Sequence, residues 1–250
     1  MDISEPYDIN FCFPVPASLE NDRVRLTPFI PSLHGQVVYD QLLLAPHLFD
    51  HPLLFGPYKD IDDFLTNLVE NRFRQNPQLL LLVIFDKTGH SQLSNYDCSA
   101  GALAGLMGFR VNKDTVPNRA PEVELHVIIL PPFQRTHVMS NAVGLSLNFL
   151  LNTPTPSYPN ALGLRRVVWH TSTANEASIR DAERMGFTVE CVMRWQSVLP
   201  LGIPGSGVLP REGDPMKENL GRDTVALSLC WDEWEGGVRD KVTQIMNRVA

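Results

Sequence analysis

The segment "VELHVIILPPFQRTHVMSNAVGL", residues 123–145, constrains the architecture more than any other stretch of the chain. Its first eight residues form an almost unbroken apolar run of the length of a buried strand. Pro131 and Pro132 cannot donate to a ladder, so strand pairing stops there. A knot of donors follows, Gln134-Arg135-Thr136-His137. The chain then turns helical at once, with Val138, Ala142, Leu145 and Phe149 along one face. A strand that feeds a helix N-terminus through such a turn is a ready anion site, because free N–H groups and the positive end of the helix dipole point at it. The same residues also describe an ordinary strand-to-helix connection with a solvated arginine.

Around this unit the pattern alternates between strand and helix. Residues 1–22 are weakly patterned and read as a surface arm. Strands are expected at "RVRLTPF", "QLLLLVIFDK", "AGALAGLMGFRV", "APEVELHVIIL", "RRVVWHT", "TVECVMRWQSVL" and "RDTVALSLC". Helices are expected at "SLHGQVVYDQLLL", at "KDIDDFLTNLVENRFRQN" with Ile61, Leu65, Leu68 and Phe73 inward, at "NEASIRDAERMGF" closed by Gly186, and at "WDEWEGGVRDKVTQIMNRV". "TGHSQLSNYDCS" and "NKDTVPNR" read as turns, and "PLGIPGSGVLPREGDPMKENLG" as a long mobile loop. No repeat and no linker divides residues 23–250. The expectation is one α+β domain with a mixed central sheet of about seven strands flanked by helices.

Charge narrows the partners. The 250 residues carry 21 Lys and Arg against 28 Asp and Glu, a formal net charge of −7. No general basic surface is expected to recruit nucleic acid or a membrane, so an anion site has to be local. The four cysteines, Cys12, Cys98, Cys191 and Cys230, show no metal-ligand or redox spacing, and no metal is expected. "MDISEPYDINF" is not a signal peptide, and runs such as "LLLLVIF" fall short of a membrane span. The expectation is a soluble cytoplasmic protein, a monomer or homodimer.

A second constellation gives these elements a chemistry. In "LGLRRVVWHTSTANEASIRDAERMGF", residues 162–187, a strand is followed by Asn175, Ser178 and a helix ending in Gly186-Phe187. This resembles the second half of the GNAT superfamily of acyl-CoA-dependent N-acetyltransferases, where a strand precedes N-x-x-S/A and a helix closing in G-F. The tail "GRDTVALSLCWDEWE" is similar to the closing strand of the branch that includes the ribosomal-protein alanine acetyltransferases. The resemblance runs in order over about residues 23 to 240. It implies a sheet splayed at its middle, with the pantetheine arm of acetyl-CoA between the splayed strands and the pyrophosphate at the knot. The implied acyl-CoA contacts are Leu130, Gln134, Arg135, Thr136, His137, Val138, Met139, Ser140 and Asn175. This chain departs from the family at one place. The usual loop, (Q/R)-x-x-G-x-(G/A), has no glycine here, although a subset of the branch is similar to "RTHVM". Side chains of Arg135, Thr136 or His137 are then candidates to take over part of the phosphate binding.

Amide formation from a thioester requires a proton acceptor for the amine, a donor for the thiolate and aligned substrates. Glu124 matches the Glu of the family's E-I-G strand and is the candidate base, or else pairs with Arg110 across the sheet. Glu122 lies two residues earlier on the same face, so one of the two carboxyls is expected to be raised and the roles are open to exchange. Ser178 is the nearest hydroxyl in a helix that lacks tyrosine, and is either a proton donor or an ordinary first-turn residue. His170 is an alternative base, and Trp169 alternates with it. Asn175 is an N-cap, a pantetheine contact, or both. Phe55, Tyr58, Trp169 and Trp195 suggest an apolar pocket for a small-molecule acceptor, beside Phe49 and Leu53. The implied function is N-acyl transfer from acetyl-CoA to a small, fairly apolar amine. Other chemistry on the same fold (O-acylation, decarboxylation, cyclisation) and non-catalytic ligand binding remain the alternatives.

Overall fold

The computed structural model describes residues 7–51, 53–89, 101–112, 120–203, 205 and 207–248. Cys98, most of the expected turn after Thr88 and the turn around Val116 lie outside the described residues. The chain order is β1 (Leu19–Glu20), β2 (Val24–Pro28), α1 (Pro31–Leu43), a 3₁₀ turn (Pro46–Asp50), α2 (Ile61–Asp63) continuing as a π-helix (Phe64–Arg74), β3 (Leu79–Asp86), β4 (Ala102–Asn112) and β5 (Glu122–Ile129). Then follow a 3₁₀ turn (Pro131–Phe133), α3 (His137–Leu151), β6 (Arg166–Ser172), α4 (Glu176–Arg184), β7 (Thr188–Val198), β8 (Gly221–Cys230), α5 (Trp231–Glu233), a π-turn (Trp234–Val238) and α6 (Arg239–Met246). The strands form one mixed sheet in the order β1-β2-β3-β4-β5-β6-β8-β7.

The sheet has eight strands rather than the expected seven, because Leu19–Glu20 of the arm pairs antiparallel with β2. Upstream of it, Tyr7, Ile9, Phe11 and Phe13 lay one face of the arm on the core. A two-residue strand is too short to leave a period-two signature, which is why the sequence hides it.

The second helix turns differently from the expectation. Phe64, Leu68, Val69 and Phe73 are buried, while Ile61 and Leu65 are only half-buried. Their spacing of about 4.5 residues suits a π-helix, whose carbonyls accept five residues on, as Glu70 does from Gln75 N–H at 3.1 Å. The last helix is kinked at Gly237, with φ 127°. Gly186 takes φ 96° at the end of α4, as expected of a helix-stopping glycine.

Helix α3 covers one face of the sheet, stacking Phe149 on Phe109 of β4. The other face lies under α1, α2 and the segment around His51–Phe55. Gly108 makes room for that segment, since a Cβ there would run into the Leu53 side chain. Among the described residues no helix is long and apolar enough to cross a membrane. Cys191 and Cys230 are free thiols.

Candidate active site

The sheet forks at Glu124. Strands β5 and β6 are parallel and share two rungs, Val123 with Val167 and Glu124 with Val168. Beyond them β5 continues against β4 as far as Ile129, while β6 continues against β8. From Leu125 onward, β5 has no ladder partner on its β6 side. This is the splay that the family resemblance implies.

Cross-strand partners share a face of a sheet, so the register shows what surrounds the fork. Glu124 is opposite Arg110, and His126 is opposite Gly108. His170 lies two residues after Val168 and opposite Ala226, and Arg222 lies four residues before Ala226. All of these point to the α2 side. The Glu124 carboxylate is buried and meets three partners: the Arg110 guanidinium through Oε2, His170 Nδ1 at 3.2 Å and His126 Nε2 at 3.3 Å. Burial pushes this carboxyl up, but the His170 hydrogen bond first, and then His126 and Arg110 beside it, hold it down at about 2. Burial pushes His126 down to about 4 and His51 down to about 3, so both rings are neutral at pH 7. Their rings meet edge to face at 6.2 Å.

Glu122 shares that face but has partners of its own. Its carboxylate receives Arg166 Nε at 2.8 Å and Asn112 Nδ2 at 3.3 Å. Each glutamate has its own cation, so the expected raised carboxyl gives way to a lowered one at Glu124. The sequence reading missed His126 as a site residue. Its signal was the period-two run Glu122, Glu124, His126, which puts all three on one face. Arg222 left no such signal, because only the strand order brings β8 beside β6.

The knot folds into a tight turn whose side chains are mostly committed to the protein. Gln134 Nε2 donates to Ile129 O at 3.1 Å. Thr136 Oγ1 donates to Phe133 O at 2.6 Å and caps α3 by accepting Val138 N–H at 3.3 Å. His137 faces inward: its Nε2 lies 3.0 Å from Asp86 Oδ1, and both residues are buried. Leu130 and Val138 are core residues, and buried Ser140 donates to His137 O at 3.1 Å. Met139 packs partly buried against the core. Arg135 is the exception, exposed and left-handed with φ 61°. It adopts the backbone conformation that a loop glycine ordinarily supplies. The first turn of α3 leaves orphan N–H groups beside this exposed arginine, the kinds of donor that suit a pyrophosphate.

On α4, Asn175 is the N-cap, its Oδ1 accepting Ser178 N–H at 3.1 Å. Ser178 Oγ accepts Trp169 Nε1–H at 2.9 Å and so keeps its own proton to donate. Trp169 is buried against Phe187, on the core side of β6, and lines no acceptor cleft, whereas His170 faces the fork. Tyr58 is likewise spent: its hydroxyl donates to Leu54 O and its ring packs on Phe49 and Phe64. Phe55 and Trp195 are exposed, 65% and 45%, and both are left-handed at φ 51° and 52°. Such backbone is costly for aromatic residues and clusters at ligand sites. Arg72 lies 4.3 Å above the Phe55 ring. In the loop between β7 and β8, Leu201 and Leu209 are exposed and Ile203 is half-buried.

Comparison with known proteins agrees with this architecture. The family model described as "Acetyltransferase (GNAT) domain" matches residues 23–188. No curated protein matches the sequence. Among solved structures, the fold is similar to a probable acetyltransferase (GNAT family) from Chromobacterium violaceum, with TM-score 0.62 and 22% identity over 94% of this chain and 98% of that one. It is also similar to the microcin self-immunity acetyltransferase MccE in complex with acetyl-CoA and AMP, with TM-score 0.56 and 16% identity over 84% and 93% of the two chains. A third, from Salmonella typhimurium, modifies the N-terminal serine of a 50S ribosomal subunit protein, with TM-score 0.57 and 16% identity over 84% and 96%. At these identities the structural likeness establishes the fold alone.

Proposed function

The chain belongs to the GNAT acetyltransferase family, and we propose that it transfers an acetyl group from acetyl-CoA to a small-molecule amine by direct transfer at the fork. The observation that carries this reading is the Glu124–His170 contact at the last shared rung of β5 and β6. Bound between the splayed strands, acetyl-CoA supplies a thioester carbonyl whose carbon bonds to the acceptor nitrogen as the C–S bond breaks. The unpaired edge of β5 offers its backbone groups to the pantetheine arm, and Arg135 with the α3 N-terminus receives the pyrophosphate.

His170 is the better-supported proton acceptor. A carboxylate bonded to Arg110 and held at about 2 is a weak base. With Nδ1 facing that carboxylate, His170 keeps its proton there and presents the Nε2 lone pair. Glu124 then acts as a positioning residue, fixing the ring and stabilising the imidazolium that forms, the logic of a carboxylate–histidine dyad. The acceptor's proton passes to Nε2. The Ser178 hydroxyl offers a proton to the departing sulfur, at the place where a helix without tyrosine has nothing stronger.

The test is release of free CoA thiol from acetyl-CoA across a panel of amines and alcohols. Thiol release with amines, accompanied by the acetylated amine in a mass spectrum, supports the reading. Release with alcohols alone turns it to O-acetylation, and none with any acceptor overturns it.

A further inference from the structure

The sheet face beside Glu124 carries more positive charge than its own carboxylates balance. Arg110 on β4 and Arg222 on β8 share the face with Glu124, and Arg72 reaches it from the π-helix. Arg110 feels Arg72 across the cleft, and Arg222 feels Glu124 and His51. Among the described residues, Arg110 and Arg222 share this face with Glu124 in a chain whose formal charge is −7. Glu122 and Glu190 are no help, since both are bonded to Arg166. Asp223, the neighbour of Arg222, is turned to the Trp195 N–H at 2.8 Å.

Two of these arginines are only partly satisfied. Arg110 bonds Glu124 through one Nη, while its side chain is 48% exposed. The Arg222 Nε is buried and has no hydrogen-bond partner. A buried guanidinium donor without an acceptor is costly unless a ligand completes it. Phe55 flanks the same place, lying under Arg72. Trp195 does not: its ring fills the space a Gly221 Cβ would take, and Gly221, the residue before Arg222, faces the other side of β8.

We infer that the acceptor amine carries an anionic group, a carboxylate or a phosphate, which Arg222 and Arg110 bind on the face beside Glu124 while Phe55 covers its apolar body. A planar guanidinium fork suits either anion. The placement also serves the chemistry, because a second anchor beside His170 fixes the amine relative to its proton acceptor. This inference names the substrate class for the acetyl transfer proposed above and rests on that reading for its chemistry, not for its binding.

Matched pairs that differ only in the anion test it: phenethylamine against phenylalanine, and ethanolamine against O-phosphoethanolamine. Binding of each to the CoA-loaded protein is measured by calorimetry, and thiol release from acetyl-CoA is measured separately. The anion-bearing member of at least one pair is expected to bind about tenfold or more tightly, the scale of a charge-assisted bidentate contact. Which pair shows the preference distinguishes carboxylate from phosphate. Arg222→Gln is expected to collapse that ratio towards one, and raised salt to shrink it in the wild-type protein. Equal binding within both pairs in the wild-type protein overturns the inference, and so does a preference that survives Arg222→Gln. A preference without thiol release would uphold the site and overturn acetyl transfer, so the two failures are separable.

Discussion

His170 Nδ1 stands 3.2 Å from Glu124 Oε2, at the rung where β5 and β6 part. The two residues are 46 apart in sequence, and only the parallel crossover through α3 brings them together. Ladder geometry at a fork is stiff on both strands up to the last rung, so the pair is held more precisely than a loop could hold it.

Removing either partner tests the pair. His170→Gln is expected to lower kcat about a hundredfold or more, the usual scale of general-base loss, with little change in CoA affinity. Glu124→Gln is expected to lower kcat comparably. If His170→Gln keeps full turnover and Glu124→Gln does not, the base is Glu124.

Arg135 separates two ways of holding phosphate. Arg135→Ala is expected to weaken CoA binding by about 1.5–3 kcal/mol, the worth of a charge-assisted hydrogen bond, and less at high salt. Arg135→Gly loses the same guanidinium but suits φ 61°, so it is expected to keep or gain stability by up to about 1 kcal/mol. Calorimetry with CoA and urea unfolding of both variants check this. Unchanged CoA affinity in both would leave the phosphate contacts to the backbone alone.

Much of this was legible in the sequence, and the failures share one cause. The β5–turn–α3 unit, the cap at Asn175 and the stop at Gly186 are local, and their signals lie within a few residues. Period two put Glu122, Glu124 and His126 on one face. What periodicity does not carry is which strands become neighbours. Arg222 reads as a surface charge until β8 is seen beside β6. His137 reads as a phosphate donor until β3 delivers Asp86 beneath the start of α3, 51 residues away. Phe55 was visible as an exposed ring, whereas the arginines on the Glu124 face were not.

The Asp86–His137 pair is expected to matter for stability far more than its single contact suggests. Asp86 is 1% exposed, and its Oδ2 has no partner. Losing His137 leaves that carboxylate poorly compensated in the core, so His137→Leu is expected to cost about 3 kcal/mol or more. The exposed Arg180–Glu176 pair on α4 sets the comparison, and Arg180→Ala there is expected to cost under about 0.5 kcal/mol. Urea midpoints of the two variants decide it, and similar small losses would contradict the argument.

Three histidines tie the fold to pH. Burial pushes His34 down to about 4, His126 to about 4 and His51 to about 3. Between those values and about 6.5, the unfolded chain binds protons that the folded chain refuses, so stability is full above about pH 6.5 and falls as the pH drops. Glu124, held at about 2, adds a further loss only below about pH 4.5, where its unfolded carboxyl begins to take up a proton. The expected result is a drop of several kcal/mol in total between pH 7.5 and 4.5, measured by urea unfolding. Replacing His126 with Gln flattens the slope. A stability that stays level down to pH 5 would count against the buried neutral rings.

The loop between β7 and β8 is the element most exposed to a change of acceptor. Its ends are pinned together, Leu199 N–H to Leu220 O at 2.8 Å and Asn219 Nδ2 to Leu199 O at 2.8 Å. Between them Leu201 and Leu209 stand 64% and 78% exposed, apolar surface with nothing over it in the described residues. The base of the loop adjoins Arg222, on the face of the sheet that carries Glu124. Folding the loop over a bound acceptor would bury those leucines and draw on binding energy, so its effect belongs to the acceptor steps. Replacing residues 202–217 by a short Gly-Ser turn is expected to raise acceptor KM and lower kcat while leaving CoA affinity within about twofold, because the proposed phosphate contacts, Arg135 and the start of α3, are not on the loop. Steady-state kinetics in acceptor, paired with CoA calorimetry, read the two separately. A folded variant with unchanged acceptor kinetics would show that the loop takes no part.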